Sequence, residues 1–477
     1  MSLLVGDTLY FDAFEAATGT ELWAYNTSNQ SLWRVTDIRS GSGGSDPGDY
    51  SSILVDDTLY FSANDGSTGQ ELWAHNTSNG TTWQVANIRS GSSHSNPGGN
   101  MMHVINDVLY FSAIDGNSGV ELWKHDPSTD TTSRVKDINA GSIGSATGKY
   151  LNMVVGDVLY FSATDGSTGS ELWAYNTSNS SDPWRVMDIK IGGTTGSEPG
   201  KHMSVLVGDT IYFDAGATGG RELWAHNISN QSTWRVVDIR TGSMGSNPGD
   251  WIALLVGDTI YFDADDGSTG AELWAHDTSN HSTWRVADIA SGSSSSAPGH
   301  YMSILVGDTV YFSASAASTG HELWAHDTSN HSTWQVADIN NWIMMNGMGL
   351  SSYPGQYMAV PLGDTIYFSA AVEQQGTELW AHDTSNRSTW KVADINSGTN
   401  GGTPGYWMEI LVGDTLYFSA DDGSTGHELW AHQPSRIDDN TNTGGAVTSW
   451  AISASLPSGV SFDTTNGTIY GLSLIHI

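Results

Sequence analysis

The chain has 477 residues, 52 acidic against 17 basic side chains and a formal net charge of −35, a surface that repels nucleic acid and anionic membrane. It has no Cys, which excludes a disulfide framework and thiolate metal centres. No transmembrane run and no signal peptide are present in this fragment, and the acidic, Asn/Ser/Thr-rich composition fits an extracellular or cell-surface protein in salty surroundings.

The tripeptide Glu-Leu-Trp begins at 21, 71, 121, 171, 222, 272, 322, 378 and 428, a spacing of 50 residues broken once by 51 and once by 56. A period near 50 built of short strands is the signature of a propeller-like array. In the seventh repeat, "MSILV" (302–306) reads as strand a, Gly307-Asp308 as a two-residue hairpin turn, and "TVYFSA" (309–314) as strand b. "ELWAHD" (322–327) follows as strand c and "TWQVADI" (333–339) as strand d. No stretch has a helical period. The expectation is an all-β fold, a β-propeller of nine four-stranded blades over residues 1–432.

The ninth repeat has strands a to c but no Trp-x-Val strand d after His432. Either a three-stranded ninth blade closes the ring or further repeats lie upstream. Residues 433–446 form a polar linker, and 447–471 ("VTSWAISASLPSGVSFDTTNGTIYG") read as the start of an immunoglobulin-like module too short for its own core. "LSLIHI" (472–477) looks like a translated sequencing adapter, as in a metagenomic read, and is set aside from the fold.

"YFSADDGSTGHELWAH" (417–432), with "VADINSG" (392–398) and its Pro-Gly, resembles the ELWxxDGT-repeat family of large secreted microbial proteins. The Glu-Leu-Trp core and the Asp-Ile-x-x-Gly ending are kept, whereas the Asp-Gly-Thr after Trp is not. The resemblance covers Ser2 to His432. It implies a propeller or array outside the cell, with no established reaction and no catalytic residues to carry over.

The repeated Glu residues (Glu272, Glu322, Glu428) tempt an acid–base reading, but an active site is one asymmetric constellation, not the same carboxylate on every blade. Each follows a Gly two residues back, as if capping a loop. The His residues at 75, 125, 226, 276, 326, 382 and 432 share one repeat position, which Tyr25 and Tyr175 fill in two other blades. They fall too far apart, blade to blade, to share an ion, so packing or hydrogen bonding is expected and no metal site is assigned. The Asp-Gly loops (Asp265, Asp266, Asp421, Asp422) resemble fragments of calcium loops, but blades one, five, seven and eight lack that sequence, and Asp and Gly also serve turns. No cofactor is demanded; calcium is the one ion the loops suggest. Asn-x-Ser/Thr at Asn29, Asn79, Asn179, Asn230, Asn280, Asn330 and Asn386 suits exposed hairpin tips, as turn chemistry or as glycosylation acceptors.

The repeats diverge most just after each Pro-Gly (Thr147-Gly148 in one case), where one blade hands over to the next: Asp49-Tyr50, Gly99-Asn100, Lys149-Tyr150, Lys201-His202, Asp250-Trp251, His300-Tyr301, Gln356-Tyr357 and Tyr406-Trp407. Strand a is innermost in a propeller, so these pairs are expected at the mouth of the channel. Aromatic faces among polar groups suit sugar rings, though the same rings could pack between blades. The longer hand-over 340–355 adds Trp342, Ile343, Met344 and Met345, an apolar stretch suited to contact. The leading expectation is a non-enzymatic, monomeric binding or adhesion propeller. Its partner is a surface carbohydrate or protein at the mouth, held by Trp251, His300, Tyr301, Tyr357, Tyr406, Trp407 and Trp342. The alternatives are a polysaccharide-acting enzyme using Asp250 or Glu409, and a structural spacer in a large adhesin.

Overall fold

Strand b is buried on both faces. In blade 7, Val310 to Ala314 are all buried, although their side chains alternate between the two sides of the sheet. A strand hidden on both sides must lie between two other layers, and the repeat supplies those layers as neighbouring blades. The computed structural model describes residues 1–179, 181–344 and 347–434, together with the strand segments Val460–Phe462, Ile469–Gly471 and Leu474–His476. Among the described residues the protein is all-β with no helix, nine antiparallel blade sheets in succession, the fold of a nine-bladed β-propeller.

Each blade runs a-b-c-d in spatial as in chain order. Blade 7 is Ser303–Val306, Thr309–Ala316, Gly320–Asp327 and Ser332–Ala337. The a–b hairpins turn with left-handed residues; in blade 3 both Asn106 (φ 52°) and Asp107 (φ 62°) are so held, as a type I′ turn requires. Between c and d the register slips at the Leu–Trp step, for example at Leu323/Trp324, a bulge that adds twist at the outer edge. Ser31, Ser232 and Ser282, at the start of strand d in their blades, are exposed.

Successive blades meet through a repeated pairing of faces. Tyr10, Leu22 and Ala24 of blade 1 pack on Leu59, Phe61 and Ala63 of blade 2, and Tyr311, Leu323 and Ala325 of blade 7 pack on Ile366, Phe368 and Ala370 of blade 8. The strand-b Phe is wholly buried in blades 2 to 9, and each such side chain stabilises the fold by roughly 2 kcal/mol. The repeated His joins the same interfaces. His276 Nδ1 lies 2.9 Å from Thr283 Oγ1 of its own blade, and its ring centroid is 5.5 Å from that of Tyr212 in the blade before. Both packing and hydrogen bonding thus occupy this His, within and across blades.

The chain forms two compact units, 1–267 with 276–283, and 268–275 with 284–477. The first strands of blades 2 and 3, of 5 and 6, and of 7 and 8 lie against one another, which places strand a innermost. The ninth repeat supplies three strands, Glu409–Val412, Thr415–Asp421 and His427–His432. Leu474–His476, from the segment set aside as an adapter, pairs antiparallel along the edge of the third. Most of the 433–446 linker and of the 447–471 fragment lies outside the described residues; within the latter, Val460–Phe462 and Ile469–Gly471 pair as a two-stranded ribbon.

Candidate functional site

Each hand-over is pinned at two points, and the pins explain why the residues between them are free to vary. At one point the Gly of Pro-Gly donates its N–H to the strand-b carbonyl of the next blade, as Gly299 does to Ser313 at 2.7 Å. The side chain of that strand-b residue then accepts the N–H of the second variable residue: Tyr301 N to Ser313 Oγ at 2.9 Å, Trp407 N to Ser419 Oγ at 2.8 Å, and Trp251 N to Asp263 Oδ1 at 2.9 Å. At the other point the Glu of Glu-Leu-Trp, buried in blades 1 to 8, gathers the loop. Glu322 accepts from Ile339 N (2.7 Å), Ser352 N (2.9 Å) and Ser352 Oγ (2.7 Å). The repeated Glu is therefore a loop anchor, as expected. Burial raises its pKa, to about 7 in Glu71, Glu322 and Glu378.

A third feature was not legible from the spacing. In all eight described hand-overs one non-glycine residue is left-handed, with φ between 44° and 52°: Asp46, Asn96, Ala146, Glu198, Asn247, Ala297, Tyr353 and Thr403. Side chains avoid this region, and all but Ala146 here precede Pro, which narrows the choice further. The strained position varies in chemistry as much as the pair after Pro-Gly. The structure also brings in the residue just before Glu-Leu-Trp, which reads Thr20, Gln70, Val120, Ser170, Arg221, Ala271, His321, Thr377 and His427. The Gly one residue earlier allows the close approach. A Cβ on Gly169 would lie 2.0 Å from Gly196 N of the hand-over loop, and its φ is +76°.

In the second unit these varied positions assemble into connected aromatic groups. Tyr301 meets His300 at 4.4 Å, and Tyr353 and His321 each at 5.3 Å, centroid to centroid. Tyr357 meets Tyr406 at 5.1 Å; Tyr406 meets Trp407 at 4.7 Å and His427 at 5.5 Å. Trp407 is 72% exposed and Tyr406 48%, whereas Tyr301 and Tyr357 are half-buried. Burial lowers the His321 pKa to about 4, with the charge of His300 acting in the same direction. Trp342 is 50% exposed on a small hairpin in which Ile343 bridges Gly349 and Leu350 N donates to Trp342 O. Met345 of that stretch lies outside the described residues. Glu409, on the exposed side of the first strand of blade 9, is raised in pKa by desolvation.

In the first unit the same positions are ionic. Trp251 is half-buried, and the Asp250 carboxylate beside it accepts from His202 Nδ1 at 2.6 Å. Asp263, beneath Trp251, is pushed up to about 7 by burial. Arg221 stands apart from most Arg of the chain, which follow a strand-d Trp or an Asp-Ile pair. It pairs with the wholly buried Asp214 at 2.6 Å and with Glu198 at 3.1 Å. The available signal was positional, since no other repeat carries a cation before Glu-Leu-Trp.

The Asp-Gly loops are held by their own donors. Asp65 accepts from Ser67 N, Thr68 N and both hydroxyls. Burial opposes ionisation there, but those hydrogen bonds outweigh it and bring the pKa down to about 2. Among the described residues no group of three or more His, Asp or Glu could hold a metal ion.

Together these observations define a β-propeller with a repeated framework and varied hand-over positions. No family model and no curated protein matches the chain. Among solved structures it is similar to puromycin hydrolase (13% identity over 77% of this chain and 57% of that one, TM-score 0.38). It is also similar to a prolyl endopeptidase (12%, 81% and 54%, TM-score 0.39) and to an oligogalacturonate lyase in complex with manganese (12%, 76% and 92%, TM-score 0.35). The chain spans little more than half the length of the first two. Likenesses this distant carry no argument about what the chain binds or does. No helix among the described residues is long and apolar enough to cross a membrane.

Proposed function

We propose that the chain is a non-enzymatic binding propeller of the extracellular or cell-surface kind, taking a carbohydrate on its rim. The observation that carries this reading is the Tyr357–Tyr406–Trp407–His427 group. Four aromatic rings from three separate chain positions sit together among the varied residues, with Trp407 72% and Tyr406 48% exposed. Sugars stack C–H faces on such rings, and the imidazole and phenol edges supply hydrogen bonds to hydroxyls. The core has no use for an indole left 72% in water.

A glycan and polysaccharide panel tests it, with the wild type beside Tyr406→Ala/Trp407→Ala. Binding to at least one neutral glycan, weakened by about tenfold or more in the folded double variant, is the expected result. Equal binding by both forms would move the site elsewhere, and no binding by either would leave a protein partner or a spacer. The His202–Asp250 pair favours a second reading, a polysaccharide-acting enzyme, because a carboxylate that orients an imidazole is a general-base arrangement. Product release from the same panel, lost in His202→Ala, is its test.

A further inference from the structure

Blades 4 and 5 depart from the repeat at adjoining places. The loop between the Ile that follows strand d and the anchor residue of the hand-over is one residue longer in blade 4 (Ile189 to Ser197) than in blades 1, 2, 3, 5, 6 and 8, where the anchor is Ser or, in blade 8, Gly402. The b–c loop of blade 5, "AGATGGRE" (215–222), is one residue shorter than in every other blade and has lost its Asp. The two changes meet around a cavity of about 640 Å³ within the first unit. Its walls include Thr164, Thr194, Thr195 and Ser243, with Lys190, Glu198 and Arg221 as charged groups. Gly216 also lines it, where a Cβ would make ordinary contacts with the Ser197 carbonyl oxygen at 3.5 Å and Arg221 Nη2 at 3.7 Å.

The charge here runs against that of the whole molecule. Glu198 is enclosed by donors, with Lys201 Nζ at 3.1 Å, Arg221 Nη2 at 3.1 Å and Tyr150 Oη at 3.3 Å. Arg221 also donates to the Ser197 and Glu198 carbonyls, so it braces the strained Glu198 rather than offering itself to solvent. Lys149 lies over the Tyr150 ring at 5.2 Å, and Lys190 makes no ion pair among the described residues. The charged walls of the cavity are therefore Lys190, Arg221 and Glu198, two cations to one carboxylate, in a chain whose acidic groups outnumber its basic ones threefold. Such a local reversal attracts anions and turns neutral partners to no advantage.

We propose that this cavity binds a uronic-acid unit of an acidic polysaccharide, its carboxylate on Lys190 and its hydroxyls on the Thr194, Thr195 and Ser243 side chains. The inference rests on the binding reading above and names a ligand class for varied positions of the first unit. The cavity has no aromatic wall, so recognition here is ionic and hydrogen-bonded, and it weakens as salt screens Lys190.

Calorimetric titration of the full chain with an oligomannuronate and with neutral mannohexaose tests this, using wild type, Lys190→Gln, Lys190→Glu and Tyr406→Ala/Trp407→Ala, each checked for its unfolding transition. The expected result is uronate binding about tenfold or more tighter than mannohexaose, weakened about tenfold in Lys190→Glu, less in Lys190→Gln, and unchanged in the aromatic variant. Uronate binding that is indifferent to Lys190, or absent at about 1 mM ligand, overturns the proposal. Neutral-glycan binding that depends on Trp407, with no uronate binding, would overturn this inference alone and leave the proposed function standing. Uronate binding that depends on Lys190, without neutral binding, would support this site and remove the aromatic one.

Discussion

Glu322 reaches across thirty residues of chain to Ser352, accepting its N–H at 2.9 Å and its hydroxyl at 2.7 Å, although blade 7 has the longest hand-over of all. In blade 1 the same contact spans 24 residues, Glu21 to Ser45. The anchor is held at the cost of loop length, so the insertion is forced outward and exposes Trp342.

Replacing that anchor should therefore be costly. Glu322→Gln puts an amide N–H₂ among donors and leaves at least one buried N–H or O–H unsatisfied. A destabilisation of about 2–3 kcal/mol is expected. Denaturant unfolding of the variant measures it; a change under about 0.5 kcal/mol would mean that the loop holds itself.

Stability should pass through a maximum in mildly acid solution. Burial raises Glu71, Glu322 and Glu378 from 4.5 to about 7, so their protonation stabilises the fold below about pH 4.5 and that contribution is lost as pH rises through 7. Burial lowers His276, His326 and His432 from 6.5 to about 4, with their neighbours modifying the shift in the first two. Their contribution is present above 6.5 and is lost as pH falls through 4. The two sets oppose each other between 4.5 and 6.5, and above that the Glu set acts alone. Calorimetric Tm measured from pH 3 to 8.5 should fall on both sides of this window. A Tm that keeps rising to pH 8 would contradict the assignment.

Arg221→Met strips a cation from Asp214, which has no exposed surface. A loss of about 3 kcal/mol is expected near neutral pH. The double variant Arg221→Met/Asp214→Ser should recover most of it, because Ser fills the equivalent place in blades 2, 3, 4, 7, 8 and 9. A double-mutant cycle with no coupling would show that the pair is dispensable.

Ala297 is held at φ 46° before Pro298, where a methyl group has nothing to gain. Ala297→Gly relieves that strain and loosens the unfolded chain. The net expectation is a gain of up to about 1 kcal/mol, read as a shift of the chemical-denaturation midpoint without a change in slope. A loss of stability would show that the turn is relaxed with Ala in place.

The chain by itself determined the nine repeats, the four strands in each and the all-β class. It did so because two-residue turns, alternating strands and the Glu-Leu-Trp punctuation are local signals, written over and over. It also marked the residues after Pro-Gly as the place to look, since Trp407 and Tyr406 stand out against an otherwise copied background. What it could not show was company. Glu198 and Arg221, or Tyr353 and His321, are 23 and 32 positions apart in the sequence, and neither pair is marked by any periodicity. They meet because the buried Glu draws each hand-over loop down onto the glycine before strand c. That glycine has no Cβ to keep the two loops apart, so the varied residues on both come into contact only once the blade has folded.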